Sequence, residues 1–272
     1  MTEGTNDEQR LQGYIDVWWQ AIDDFTHLLE KVGPDEWSAP TDLPGWDVHA
    51  VVAHVAHLEA TMAGTQHDQV DVGEPGHVRG MMGTFTEQGV VARRDRSPDD
   101  LINEVRASAT SRHTRLVSDP PTDASATADQ WAGMLGWTWE RLLRNRPLDV
   151  WMHEQDVRRA VGQPGGMDSA AARHTADYLV ESLGLVVGKK VAPPAGTTVV
   201  LEVEGSAPHA VTVGEDARAH PVEAPPDPSV RIGMDRASFV VAAGGRRTPE
   251  AVRIEGDREL GEQVVAALAV TP

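Results

Sequence analysis

The residues with the clearest chemical potential lie between Asp149 and Arg159, where apolar and charged residues alternate at helical spacing. No glycine or proline interrupts the chain between Pro147 and Gly162, so we expect a helix there. Residues four apart in a helix lie on one face, so Asp149 and His153 can point at the same object. A carboxylate and an imidazole at this spacing are suited to a divalent metal, but two ligands are too few.

We expect the third ligand from a second predicted helix, residues 48–62, which is almost wholly apolar apart from its histidines. These are His49, His54 and His57. His54 is the preferred ligand because it lies in the apolar centre of the segment, flanked by valines and alanines, and His57 is the alternative. Because the chain contains no cysteine, no protein thiolate competes for this role.

Asp156 competes with Asp149 for the role of carboxylate ligand, because it lies three residues after His153. Its alternative role is to orient that histidine or to pair with Arg159. Two histidines and one carboxylate leave coordination positions open, which is typical of a catalytic metal, with zinc as the default ion. The chain lacks a His-Glu-x-x-His motif, a phosphate-binding loop and a Gly-x-Ser-x-Gly motif, which disfavours proteases, nucleotide hydrolases and serine esterases.

The composition limits the classes of protein to consider. The chain has 272 residues with 42 acidic and 24 basic side chains, a formal charge of -18 that disfavours binding to nucleic acid or an anionic membrane. Without cysteine there is no disulfide and no thiol nucleophile, so any thiol must come from outside. The amino terminus is polar and acidic and no apolar stretch could span a bilayer, so we expect a cytoplasmic protein, by default a monomer.

The residue pattern predicts helices in the first part of the chain and a mixture of helices and strands in the second part. All eight tryptophans lie between Trp18 and Trp151, which suggests two domains, residues 1–164 and 165–272. In the first domain, four long amphipathic helices are expected to form a four-helix bundle. Helices are predicted over residues 8–32, 48–62, 85–94 and 98–117, and from Trp137 onward, with Pro147 kinking or restarting the last one.

In the second domain, one helix is predicted over residues 169–191, followed by a run rich in β-branched residues. Strands are predicted over residues 197–204, 209–213, 229–233 and 251–255, with helices over 235–243 and 257–268. This pattern is typical of a small α+β domain.

Three segments together resemble the mycothiol-dependent maleylpyruvate isomerase family of actinobacteria. They are residues 43–57 (LPGWDVHAVVAHVAH), residues 146–162 (RPLDVWMHEQDVRRAVG) and residues 232–272, including the Gly-Arg-Arg of 245–247. The resemblance implies an α + α/β protein of two domains. The first is a DinB-like four-helix bundle that binds a metal, and the second is a small α+β domain similar to sterol carriers.

The resemblance also implies a zinc ion bound by His54, Asp149 and His153, with mycothiol as the thiol cosubstrate at an open position. In an isomerase, the thiolate would add to a cis double bond conjugated to a carbonyl, allow rotation and leave. In an S-transferase, it would attack a small electrophile and stay attached. The residues do not separate these two reactions.

Two further residues carry expectations from the resemblance. The characterised isomerase has a glutamate where this chain has Asp149, so the shorter side chain implies a metal that lies closer to this helix or is bound more weakly. In the second domain, Arg246, or Arg247 as the alternative, is expected to hold an anionic substrate by bidentate contact.

Two other functions remain open at the level of sequence. One is metal-dependent hydrolysis by metal-bound water, with Glu154 or Asp156 as the base. The other is non-catalytic binding of a small molecule within the helical domain.

Overall fold

The computed structural model describes residues 3–271, with side chains from residue 6 onward. It divides into two compact units, Met1–Gly166 and Met167–Pro272. A helical first region followed by a small unit with a mixed sheet confirms the predicted fold class. The division into domains of residues 1–164 and 165–272 stays a prediction, and its outer ends at residues 1 and 272 lie outside the described part.

The first unit is helical, and its four longest helices pack on one another. Helix α1 packs against α4 and α6, and α2 packs against α3, α4 and α6. The helices are α1 (Glu3–Leu29), α2 (Val48–Met62), α3 (Gly80–Ala92), α4 (Pro98–Ser118), α5 (Gln130–Met134) and α6 (Trp139–Ala160), with a 3-10 turn at Pro34–Ser38.

Helix α2 is the centre of this unit, since every residue in it except His49 is buried. Its many alanines and valines explain this position, because a helix that is apolar on all sides belongs inside a protein. Asp47 caps the helix by accepting a hydrogen bond from the backbone N–H of Ala50 at 2.8 Å. The observed bounds equal the predicted ones, residues 48–62.

Helix α6 carries the proposed ligand pair and continues through Pro147, which the sequence analysis expected to kink or restart it. Thr138 caps its start. The structure also contains two elements that the sequence analysis missed in the first unit: the 3-10 turn and the short helix α5.

The second unit is a five-stranded mixed sheet with helices. The strand order is β3-β2-β1-β4-β5, and only the β1–β4 pair is parallel. The elements are α7 (Ala170–Val180), α8 (Leu183–Leu185) with a following π-helical turn (Val186–Val191), β1 (Thr198–Val203), β2 (His209–Val213), β3 (Ala219–Val222), β4 (Val230–Met234), α9 (Arg236–Ala243), β5 (Arg253–Gly256) and α10 (Arg258–Ala266).

In this unit one strand was not predicted, and the prediction of one helix was wrong. Strand β3 was not predicted, because it contains Pro221, which a sheet accommodates at its edge, where β3 lies. The single helix predicted over residues 169–191 is interrupted after Val180 and ends in π-helical geometry. A Cβ at Gly188 would lie 2.7 Å from the backbone nitrogen of Ala219, so β3 approaches this turn closely.

In the described part of the chain, no helix has the length and apolar character needed to cross a bilayer.

Candidate metal centre

The structure brings His54, Asp149 and His153 together. Each offers one ligand atom, and these three atoms all lie within 4.8 Å of one another. Oδ1 of Asp149 lies 3.7 Å from Nε2 of His54 and 3.8 Å from Nε2 of His153. Among the described residues this is the one group of three or more acidic or imidazole side chains that converges closely enough for a metal ion.

A chain of ion pairs orients the His153 ring. Nδ1 of His153 lies 3.1 Å from Oδ2 of Asp156, a fully buried carboxylate. Because a carboxylate accepts, Nδ1 of His153 donates to Asp156, and the opposite nitrogen, Nε2, faces Asp149. Arg159 holds the other oxygen of Asp156 at 2.5 Å and reaches Asp42 at 2.8 Å. Asp156 is therefore placed to orient His153, which was its alternative role in the sequence analysis.

The two remaining members of the trio are held in the charge states that suit a metal. Burial lowers the pKa of His54, although Asp149 opposes this effect, so the ring is neutral with a lone pair to offer. Burial raises the pKa of Asp149, but Arg146 and the two imidazoles outweigh it, so the pKa lies well below its usual range. Nδ1 of His54 has no hydrogen-bond partner among the described residues.

Asp149, the candidate carboxylate ligand, belongs to a buried network of ion pairs that was not predicted from the sequence. Nη2 of Arg146 lies 3.1 Å from Oδ2 of Asp149 and 2.6 Å from Oε1 of Glu59. Two sequence signals could have revealed it. Arg146 is three residues before Asp149, and Glu59 is a carboxylate in an otherwise apolar buried helix, where an unpaired charge is costly.

An aromatic side chain, Trp46, packs beside the two imidazoles. Its ring centroid lies 5.1 Å from that of His54 and 6.3 Å from that of His153. The indole N–H donates to Oε2 of Glu87 at 3.0 Å, and this oxygen also lies 3.1 Å from Nε2 of His77. Trp46 was not predicted as a site residue, although it lies in the segment that carries the family resemblance.

The other histidines of α2 face different partners. Nε2 of His57, the alternative ligand, lies 3.3 Å from Nδ1 of His67. The ring is so tightly enclosed that a Cβ at Gly89 would lie 2.1 Å from its Cγ. Nε2 of His49 lies 2.9 Å from the carbonyl oxygen of Arg96.

The arginine expected to bind substrate, Arg246, lies in the second unit. Its Nη1 donates to the carbonyl oxygen of Gly244 at 2.6 Å and to Oγ1 of Thr271 at 3.1 Å. The roles proposed for Arg246 and its alternative Arg247 stay predictions.

The donor set fits a divalent transition metal. Two imidazoles and one carboxylate are the ligands of many catalytic zinc sites, where a fourth position stays open for water or substrate. The ligand atoms come from two packed helices, and hydrogen bonds or ion pairs behind His153 and Asp149 fix their direction.

Fold and site together define a helical unit in which three potential metal ligands converge, followed by a small unit with a mixed sheet. The sequence profile of the mycothiol maleylpyruvate isomerase N-terminal domain matches residues 18–158, and that of the family's C-terminal domain matches residues 173–263. The chain therefore belongs to the mycothiol-dependent maleylpyruvate isomerase family, which confirms the resemblance and the expectation of an enzyme.

Two crystal structures show the same fold. One, of the mycothiol-dependent maleylpyruvate isomerase, is 18% identical in sequence with a TM-score of 0.55. The other, of a variant of that enzyme with one histidine replaced by alanine, is 16% identical with a TM-score of 0.56. Each comparison covers 90% of this chain and 92% of the other. Among curated proteins, no sequence matches the chain.

Proposed function

We propose that this chain is a metal-dependent mycothiol enzyme, in which a zinc ion held by His54, Asp149 and His153 activates the thiol of mycothiol toward a small electrophile. The observation that carries this proposal is the convergence of three ligand atoms from two helices, within a family whose solved member depends on mycothiol.

A divalent cation at this centre would stabilise a thiolate near neutral pH, as zinc lowers the pKa of bound water. The protein's own residues supply the conditions. Nε2 of His54 and Nε2 of His153 both face Oδ1 of Asp149, and this carboxylate contributes one negative charge. Three protein ligands leave an open position where the sulfur can bind.

The substrate would be a small electrophile, for which two reactions agree with the site. In an isomerase of the maleylpyruvate type, the sulfur adds to a cis double bond conjugated to a carbonyl, the resulting single bond rotates, and elimination returns the thiol. In an S-transferase, the sulfur keeps its new bond to carbon. We propose that Arg246 holds the anionic group of the substrate in either case.

The first experiment measures metal content and thiol binding on the purified protein. We expect about one equivalent of zinc, and calorimetric binding of mycothiol that requires the metal. His153→Ala should lose both, whereas His49→Ala, a histidine of the same unit that faces a backbone carbonyl, should keep both. A wild-type protein that takes up no zinc and ignores mycothiol would contradict the proposal.

A second experiment separates the two reactions by counting free thiol during turnover. An isomerase returns mycothiol, so the thiol concentration stays constant while substrate is consumed. A transferase consumes one thiol for each substrate molecule.

Hydrolysis by metal-bound water is not favoured by the positions of the two bases considered for it. Glu154 accepts a hydrogen bond from Nε of Arg158 at 2.6 Å, and Asp156 is bound to His153 and Arg159. Turnover without added thiol would favour hydrolysis nonetheless. Ligand binding that survives both His54→Ala and His153→Ala would favour a binding protein.

A further inference from the structure

The two oxygens of Asp149 have different surroundings. Oδ1 faces the Nε2 atoms of His54 and His153, whereas Oδ2 lies 3.1 Å from Nη2 of Arg146. The same nitrogen of Arg146 lies 2.6 Å from Oε1 of Glu59, so it bridges two carboxylates. Arg146 is only 2% exposed, which leaves its guanidinium little room to move.

Glu59 is the anchor of this bridge. It is fully buried, and its Oε1 accepts hydrogen bonds from Nε of Arg146 at 3.2 Å and from the indole N–H of Trp18 at 3.2 Å. A second buried arginine, Arg112, is also attracted by Glu59, but its nitrogens have no hydrogen-bond partner among the described residues. Of these two arginines, Arg146 is therefore the one that Glu59 holds in place.

Carboxylates bind metals through one oxygen or through both. If both oxygens of Asp149 turned to the metal, the protein would supply four donor atoms, and a water or a thiol could then bind only by raising the coordination number to five. The ion pair with Arg146 opposes this rotation, because the buried guanidinium would lose a carboxylate partner.

We propose that Arg146, held by Glu59, is a positioning residue that restricts Asp149 to a single metal-binding oxygen, Oδ1, and so keeps a coordination position open. This inference rests on the proposed function, because it requires a metal at the centre. It assigns the ion pair a role in the geometry of the site, beyond its contribution to the core.

The test uses the full-length protein loaded with cobalt(II), whose visible absorption distinguishes four from five ligands, together with zinc affinity from competition with a chelator. Wild-type protein should show the intense bands of four-coordinate cobalt. Arg146→Gln should show the weaker bands of five-coordinate cobalt and bind zinc about 10- to 100-fold less tightly, the usual effect of losing an outer-shell partner.

Arg112→Gln is the matched control, because it also removes a buried cation near Glu59 but leaves Asp149 paired. It should keep the wild-type spectrum and zinc affinity. Should Arg146→Gln fail to fold, Glu59→Gln carries the same test, since it weakens the hold on Arg146 while preserving side-chain shape.

The outcomes separate the two proposals. A wild-type spectrum in folded Arg146→Gln, or the same spectral change in Arg112→Gln, overturns the positioning role and leaves the metal centre standing. A wild-type protein that binds neither cobalt nor zinc overturns the metal centre, and the positioning role with it.

Discussion

The two units of this protein differ in what they bury. Among the described residues, all but one of the buried polar or charged side chains belong to the first unit, and the exception is Thr175. The second unit has an apolar core formed by the sheet and its helices, with residues such as Val211, Ile232 and Phe239. Its ion pairs, such as Arg231 with Glu202, are partly exposed.

We attribute the buried charged side chains of the first unit to its function, because they contribute less to stability than an apolar core would. Burying charged groups is costly unless each is paired, and replacing such pairs with apolar residues is often neutral or stabilising. The first unit nevertheless buries Glu59, Arg146, His153 and Asp156, all within two contacts of Asp149. We interpret this concentration as the energetic cost of holding the proposed metal centre, and four measurements test the difference between the two units.

The largest expected effect comes from Glu59→Ala. Loss of this carboxylate leaves Arg146 and Arg112 buried with reduced counter-charge, so the free energy of unfolding should fall by about 3–5 kcal/mol. Denaturant unfolding followed by tryptophan fluorescence reports on this unit, because all eight tryptophans lie in it. Glu202→Ala in the second unit removes a partly exposed partner and should lower the free energy of unfolding by about 0–1 kcal/mol. Because this unit contains no tryptophan, its unfolding is followed by circular dichroism. Equal losses would remove the contrast between the units.

The next effect is stabilisation of the first unit by metal. At a zinc concentration one hundred times its dissociation constant, binding to the folded state adds about 2.7 kcal/mol to the free energy of unfolding. The midpoint of the fluorescence transition should therefore rise with added zinc. His153→Ala should abolish the rise, and a wild-type midpoint that zinc leaves unchanged would argue against the centre.

A third effect is acid destabilisation through His57. Burial, aided by the nearby Arg93, lowers the pKa of His57 to about 3. Between this value and its ordinary pKa of 6.5, the unfolded chain binds a proton that the folded protein does not, so stability falls as pH falls.

When the pH falls from 7 to 5, the free energy of unfolding of the metal-free wild type should decrease by about 2 kcal/mol more than that of His57→Gln. Urea unfolding at both pH values measures the difference. The exposed His27→Gln should behave like the wild type, and a pH dependence that survives in His57→Gln would assign it to other groups.

The smallest effect should be the same in both units. Asp47 caps α2 in the first unit, and Asp235 caps α9 in the second by accepting from the backbone N–H of Ser238 at 2.7 Å. Asp47→Ala and Asp235→Ala should each lower the free energy of unfolding by about 1 kcal/mol, because in either unit the cap satisfies one backbone N–H donor of its helix. Circular dichroism during thermal unfolding follows both units. Clearly unequal costs would mean that the units differ in more than their buried charges.

Local sequence patterns were sufficient to predict much of the secondary structure. The bounds of α2 and β2 agree with the sequence prediction, since apolar runs, a capping Asp47 and β-branched residues act over a few neighbouring residues. The same patterns placed His54 on a buried helix and Asp149 one turn from His153. Such local patterns did not predict strand β3, which contains a proline. They also did not predict the π-helical turn at Val186–Val191, which β3 approaches closely.

The spacing and type of the residues were enough to predict which side chains share a helical face and which helix is apolar enough to be buried. The different surroundings of Asp149 and Asp156 depend on tertiary packing, because both lie about one turn from His153 at acceptable spacing. The packing of α2 against α6 sets Asp149 between the two Nε2 atoms and leaves Asp156 on the far nitrogen of His153. It also joins Glu59 to Arg146, 87 residues away in the chain. Helical periodicity determines the faces of a helix, but how two faces meet depends on the fit of all the side chains between them.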